Sequence, residues 1–410
     1  MAAYLWGTNR LASNVYEAAC DRVAKCYEKY DHVAVSFSGG KDSTATLNVT
    51  LDVAEKLGKL PVRTIFWDEE AIPFETEHYV RRVAEDPRVE MEWLCLPVKH
   101  RNACSNREPW WYTWAPEAED KWVRPLPPEA ITHVDGFPTD PAKRYSIPEM
   151  SGLMFDPKIH GTSAILLGIR GQESLTRMRA VRRKATENYI VHYGPDSPTY
   201  RGNLWKVYPV FDWTTEDVWT APKLFGWDYN TSYDNMEMAG IKAHAQRCAP
   251  PYGEEPMGGL WMFSQCFPDI WDRMSERVAG AATAARYART ELYSYRSRPE
   301  KPDGIKWRDF LKYFLRKHDP AEAAEVAKRV GMFIDRHYAK TSDPILPTAT
   351  HPNTGISWDF LLMLAVRGDF KHRKNPMFAD SDEDRVKGWA RYNAERRELI
   401  DSGRIHEVMP

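Results

Sequence analysis

Ser38-Gly39-Gly40-Lys41-Asp42-Ser43 is the stretch of this sequence whose residue types and spacing are best suited to chemistry. Two adjacent glycines let a backbone turn tightly and approach a ligand without Cβ clashes. A helix opening directly after them aims free N–H groups and the positive end of its dipole at the same spot. Lys41 adds a full positive charge, and Ser38 and Ser43 add hydroxyl donors. Together they make a cradle for pyrophosphate or sulfate. The loop is not a Walker A loop, because G-x-x-x-x-G-K-[ST] needs Ser or Thr where Asp42 stands. The competing reading is an ordinary Gly-Gly turn with an exposed lysine, and the flanking pattern argues against it.

That pattern is a strand before the loop and a helix after it. Val33-Ala34-Val35-Ser36-Phe37 is a β-prone run, and from Asp42 an apolar stripe of Leu47, Leu51, Ala54 and Leu57 predicts a helix ending at Gly58. Residues 11–30 predict a helix, Val62 to Trp67 a second strand, Phe74 to Ala84 a helix and Val89 to Leu96 a third strand. Ala164 to Ile169 reads as a further buried strand. Regular alternation of strand and helix implies right-handed crossovers and an α/β fold on a parallel sheet. Residues 104–160 are rich in Pro and Trp with little periodicity, and predict a long insertion over the ligand edge of the sheet.

Beyond about residue 235 the texture becomes helical, over 268–294, 307–318, 320–338, 357–367 and 382–400, with Ser381 and Asp384 opening the last helix. The expected organisation is an α/β domain carrying the glycine loop and the insertion over 1–235 and a helical accessory domain over 236–410. Gly304-Ile305-Lys306-Trp307 and Gly355-Ile356-Ser357-Trp358 echo each other, each opening a Phe-Leu helix. Two short matches do not make a repeat array.

Two further motifs point to the same edge of the sheet. Leu167-Gly168-Ile169-Arg170-Gly171-Gln172-Glu173-Ser174 follows the predicted fourth strand and runs into Leu175-Thr176-Arg177. Gly168 at a strand's carboxyl end lets a backbone pass close to a ribose, and Arg170 and Arg177 can reach anionic oxygens. A structural Arg–Glu pair is the alternative. Tyr208-Pro209-Val210-Phe211-Asp212-Trp213-Thr214-Thr215-Glu216-Asp217-Val218-Trp219 reads mostly as architecture, with Thr214 capping a helix and Asp217 at its third position.

Residue for residue, the loop resembles the signature of the PP-loop ATP-pyrophosphatase superfamily, whose members bind ATP or another adenine nucleotide on a five-stranded parallel sheet. The second and third motifs are similar to the G-x-R-x-x-E-S-x-x-R and P-[ILV]-x-D-W-[TS]-x-x-D-V-W elements of the phosphoadenosine phosphosulfate (PAPS) reductase family. Trp111-Tyr112-Thr113-Trp114-Ala115-Pro116 and Trp122-Val123-Arg124-Pro125 resemble the tryptophan-rich insertion of its IbrA-like branch, which carries a long C-terminal helical region. The namesake of that branch is described as a co-activator of prophage-associated genes.

The resemblance implies a nucleotide site lined by Ser36, Ser38, Gly39, Gly40, Lys41, Asp42, Ser43, Trp67, Asp68, Gly168, Arg170, Glu173 and Ser174. Lys41, Arg170 and Arg177 would act on the reacting groups. Mg²⁺ is expected with ATP, and Asp42 or Asp68 could ligate it. Either aspartate reads equally as a helix N-terminal charge or a turn residue.

The chain departs from the family at its end. PAPS reductases resemble one another in a C-terminal Glu-Cys-Gly-x-His segment whose thiolate attacks the sulfonucleotide sulfur. This sequence closes Arg404-Ile405-His406-Glu407-Val408-Met409-Pro410 and has no cysteine after Cys266. Cys248, beside Arg247, is a candidate reactive thiol, and Cys266 reads as a packed core residue. The iron–sulfur cysteine pattern is missing too, so no such cluster is expected. Attack at the nucleotide α-phosphorus is the family chemistry left. A sulfonucleotide reductase with an atypical cysteine, and a non-catalytic nucleotide-binding regulator acting with a protein partner or DNA, are the alternatives.

Composition removes other classes. Lys+Arg 56 against Asp+Glu 58 leaves a formal charge of −2, which argues against a dedicated polyanion coat. One local exception is 177–184, with five basic residues in eight, a candidate nucleic-acid contact or a solvated basic loop. Hydrophobic and charged fractions of 43% and 28% fit a globular protein and exclude disorder. The longest apolar run, Phe360 to Val366, falls far short of the roughly 20 residues that cross a bilayer. Six scattered cysteines without a C-x-x-C pair predict free thiols in a reducing cytoplasm. Most of the 16 tryptophans are expected in packing, a minority as stacking platforms for bases.

Overall fold

The computed structural model describes residues 14–105, 107–173, 189–194, 196–253, 259–287, 301–316, 318, 320–367, 375–376 and 381–409. Ser174, Arg177 and the basic stretch 177–184 lie outside them. The chain divides into two compact units, Met1–Arg296 and Ser297–Pro410. The division falls further along than the change of texture at 235, because the helices over 260–287 share an apolar cluster with Trp111, Val123 and Tyr233 of the first unit.

In the first unit α1 (Val15–Lys29) opens on Asn14, whose side chain accepts from the Glu17 amide, and turns Ala18, Ala19, Val23 and Cys26 inward. Strand β1 (His32–Phe37) leads through the glycine loop into α2 (Lys41–Leu57), which stops at the left-handed Gly58. Then come β2 (Val62–Trp67), α3 (Phe74–Ala84) and β3 (Val89–Leu94). An antiparallel hairpin of β4 (Lys99–Arg101) and β5 (Trp110–Tyr112) leads into and through the start of the predicted insertion. The chain returns to the sheet as β6 (Ser163–Leu167), β7 (Ile190–His192) and β8 (Leu204–Val207).

The sheet has six strands in the order β3-β2-β1-β6-β8-β7. Five are parallel, as the alternation predicts, and β7 adds an antiparallel edge against β8. At three residues, β7 is too short to show a period in the sequence. Strand order runs outward from β1 to β3, then jumps to the other side of β1 with β6. The crevice outside the carboxyl ends of β1 and β6 is therefore the topological switch point, where open α/β sheets bind ligands.

Helices α4 (Thr215–Phe225), α5 (Ser232–Met238), α6 (Leu260–Cys266), α7 (Pro268–Arg277) and α8 (Ala281–Tyr287) complete the unit. Buried Trp93, Trp111, Trp114 and Trp213 are core residues, whereas Trp110 is exposed.

The second unit contains α9 (Trp307–Leu315), α10 (Pro320–Tyr338), α11 (Trp358–Arg367) and α12 (Asp382–Asp401). Its core gathers Phe310, Phe314, Phe333, Leu361 and Tyr392. The two echoed Gly-Ile-x-Trp segments meet here, with the Trp307 and Trp358 rings stacked at 6.4 Å. No helix among the described residues is long and apolar enough to cross a membrane.

Candidate functional site

Register places three sequence features at one edge of the sheet. Phe37 pairs with Phe66, and Ser36 pairs with Leu167, so the chain leaves β1, β2 and β6 side by side. The residues leaving are Ser38, Asp68 and Gly168.

The glycine loop is held by its two serines. Ser38 N donates to Ser43 Oγ at 3.2 Å, the hydroxyls are 3.0 Å apart, and Ser43 Oγ donates to the Gly40 carbonyl at 2.9 Å. Gly39 has φ +69°, and a Cβ there would sit 2.9 Å from Thr76 Cγ2, so only glycine suits the position. Gly40 is the extended N-cap of α2 and offers no side chain to the helix amides. What faces them is Tyr233, whose hydroxyl accepts from Lys41 N at 3.0 Å. The Lys41 ammonium donates to the Gln246 carbonyl at 3.2 Å and lies 3.6 Å from Asp42, with its side chain 7% exposed. Burial pulls its pKa below the usual lysine range.

The second motif closes on the same turn. A Cβ on Gly168 would come within 2.5 Å of the Asp42 carbonyl and 2.6 Å of Ser43 N, so β6 ends packed against the first turn of α2. Arg170 is 2% exposed, and its Nε donates to Asp42 Oδ1 at 2.5 Å. Its Nη1 donates to the Trp213 carbonyl at 3.3 Å, which ties the loop to the third motif. The anion that Arg170 holds in this structure is thus Asp42. Gln172 joins in by accepting from Thr215 N at 2.8 Å, and Glu173 closes a short 3-10 turn. The third motif is architecture, as expected. Asp212 forms a two-pronged pair with Arg22, and Thr214 and Asp217 make a reciprocal cap on α4.

At the end of β2 a second charged network appears. The buried Asp68 carboxylate receives the Arg124 guanidinium, the Trp93 indole N–H at 2.7 Å and the Glu70 amide at 2.9 Å. Glu70 is 0% exposed and accepts from Arg277 Nε at 2.7 Å, Trp114 N at 2.7 Å and Val123 N at 3.1 Å. These bonds fasten the tryptophan insertion and α7 to the sheet edge. Glu69 points elsewhere, to His100 Nδ1 at 3.4 Å. Burial and the neighbouring Asp68 charge push its carboxyl up to about 7. Ser36 stays within β1, and Trp67 packs in an apolar cluster with Leu94, Leu96 and Met150.

The two carboxylates expected to bind Mg²⁺ do not fit that role as they stand. Asp42 faces Arg170 and Asp68 faces Arg124. Among the described residues no group of three or more His, Cys, Asp or Glu is arranged to hold a metal.

Cysteine placement adds a feature the sequence only hinted at. Cys248 Sγ lies 3.6 Å from where a Cβ on Gly40 would be and 3.6 Å from the Tyr233 hydroxyl. The thiol is buried, which pushes its pKa up. Cys266 is half-buried beside the apolar cluster of α6–α8. Sequence reasoning missed Glu70, Arg124, Arg277, Tyr233 and Gln246 as parts of the site. The run Asp68-Glu69-Glu70 after an apolar strand was the available signal for the first three, since buried acids demand basic partners.

Comparison with known proteins identifies the family. A family model described as the phosphoadenosine phosphosulfate reductase domain matches residues 32–236, and a domain of unknown function, DUF3440, matches 240–335. The Escherichia coli (strain K12) protein YbdN, described as uncharacterized, is 28% identical over 374 residues, covering 88% of this chain and 89% of its own. Among solved structures, the phosphoadenylyl-sulfate reductase of Candida auris in a phosphate complex aligns with a TM-score of 0.31 at 17% identity, over 56% of this chain and 94% of its own. The FMN adenylyltransferase of Candida glabrata aligns with a TM-score of 0.33 at 12% identity, over 56% and 63%. Half of the sequence, running from β1 into α5, matches the reductase domain model, and the chain belongs to the phosphoadenosine phosphosulfate reductase domain family.

Proposed function

We propose that the Ser38–Ser43 loop binds the phosphates of an adenine nucleotide and that the protein is an enzyme acting at the nucleotide's α-phosphorus. The observation that carries this reading is a glycine loop opening α2 at the switch point of the sheet, with Lys41 at the helix's first position. In the reaction a protic acceptor attacks the α-phosphorus and its bond to phosphorus forms. The bond from the α-phosphorus to the bridging oxygen breaks, pyrophosphate departs, and the acceptor's proton is lost. Loop N–H groups and Lys41 stabilise the charge growing on the leaving pyrophosphate. No step is assigned to Mg²⁺.

The test is to incubate the protein with MgATP and resolve every nucleotide product by chromatography, with Lys41→Ala as control. AMP and pyrophosphate formed only by the wild type support the reading. Tight ATP binding without turnover favours instead a nucleotide-binding regulator working with a partner.

One observation favours a second reading. Cys248 lies against the phosphate loop, where a sulfonucleotide's sulfur could meet a thiolate. The sulfur–cysteine bond would form as the sulfur–oxygen bond of the phosphosulfate anhydride breaks and the nucleotide phosphate leaves; a dithiol would then reduce the S-sulfocysteine, releasing sulfite and the free thiol as it becomes a disulfide. The raised thiol pKa ranks this second, because the thiol rather than the thiolate is favoured. Sulfite release from PAPS with a dithiol reductant, abolished by Cys248→Ser, supports it. An unchanged rate in that variant contradicts it.

A further inference from the structure

We propose that Tyr233, with the segment 230–248 behind it, is a latch that occupies the anion position of the phosphate loop, and that a nucleotide's phosphates enter by displacing it. The inference rests on the nucleotide reading of the loop given above.

Both groups that suit the loop to an anion end on this one segment. The Lys41 amide, first in α2, donates to the Tyr233 hydroxyl at 3.0 Å, and the Lys41 ammonium donates to the Gln246 carbonyl at 3.2 Å. Asn230 Nδ2 donates to the Gly39 carbonyl at 2.9 Å, which fixes the segment to the loop from the other side. Cys248 Sγ lies 3.6 Å from where a Cβ on Gly40 would be, beside the Tyr233 hydroxyl. The segment is held in turn by Gln246 Nε2, which donates to Glu237 Oε2 and to the Ile241 carbonyl, both at 2.8 Å.

Ordinary core packing explains the Tyr233 ring, which lies among Met236, Ile241 and Cys248. It does not explain why the hydrogen-bond acceptors of the loop's amide and of its ammonium both come from one segment, Asp42 adding only a more distant ion pair at 3.6 Å. Those two acceptors are neutral. A phosphate carries charge and makes stronger bonds to the same donors, so it can displace them. The latch is then a closed state in competition with ligand, and the apparent affinity is the intrinsic affinity reduced by the fraction of open molecules.

The experiment compares the full chain with Tyr233→Phe, which keeps the ring and removes the oxygen. Affinities for ATP and for inorganic pyrophosphate are measured by calorimetry. Alkylation of Cys248 by iodoacetamide is followed by peptide mass. Losing one competing hydrogen bond should tighten binding of both probes by about three- to tenfold. In the wild type, pyrophosphate should speed Cys248 alkylation, and Tyr233→Phe should speed it without ligand. Equal or weaker binding by Tyr233→Phe overturns the latch. If neither protein binds either probe, the nucleotide reading fails on its own account, and the thiol decides the latch. Alkylation at least about threefold faster in Tyr233→Phe supports it, and an unchanged rate overturns it.

Discussion

Arg170 Nε lies 2.5 Å from Asp42 Oδ1, although the two residues are 128 positions apart in the sequence. The contact joins the loop that opens α2 to the motif that follows β6. Arg170 itself is buried, and the contact leaves it little freedom to serve anything else. The loop's aspartate and the motif's arginine thus hold the glycine loop in shape, and under the proposed function Lys41 and the loop amides would meet the ligand.

Breaking that pair from one side should be severe. Arg170→Met leaves Asp42 with only the more distant Lys41 ammonium, at 3.6 Å, and should cost about 2–3 kcal/mol in urea unfolding. Adding Asp42→Asn should recover a large part of the loss, because the stranded charge is gone. Additive losses in the double variant would contradict the pairing.

Glu70 should matter as much for a different region. Its carboxylate gathers Arg277, Trp114 N and Val123 N, so Glu70→Gln weakens the fastening of the insertion. We expect a loss of about 2–4 kcal/mol and faster limited proteolysis within 104–124. Proteolysis unchanged there would show that the insertion is held by its apolar contacts alone.

Glu69 sets a pH dependence whose sign follows from its raised carboxyl. In the folded chain it titrates near 7, well above an unfolded glutamate near 4.5. Its contribution to stability is whole below the unfolded value and is lost as pH rises to about 7, then stays constant. The stability of Glu69→Gln relative to wild type should therefore rise between pH 4.5 and 7 and level off above. A constant gap from pH 5 to pH 8 in urea titrations would contradict the shift.

Much of the frame was legible because its signals are local. The sequence pattern placed β2 at Val62–Trp67 and α3 at Phe74–Ala84, where the structure has them, since strand alternation and helical stripes survive without context. The predicted helix over 268–294 divides into α7 and α8 at Val278–Gly280. Asn102 Nδ2 donates to the Ala279 carbonyl at 3.0 Å there, a tertiary contact that no periodicity announces.

The site divides the same way. Ser38, Gly39, Gly40 and Lys41 could be read from spacing because a strand–loop–helix turn is contiguous. Arg170 could be placed at the correct edge, but its partner Asp42 could not be named, because charge complementarity across a fold leaves no mark on spacing. Tyr233 and Gln246 lie some 200 positions from Lys41 and supply a hydroxyl and a backbone carbonyl, which no motif distinguishes.

The most direct measurement is equilibrium binding of ATP to the wild-type chain and to Lys41→Ala. Saturable binding by the wild type, weakened at least about tenfold in the variant, is the result expected if the loop cradles phosphates through a charged donor. Equal affinities, or no binding by the wild type, would contradict the assignment of this loop to an adenine nucleotide.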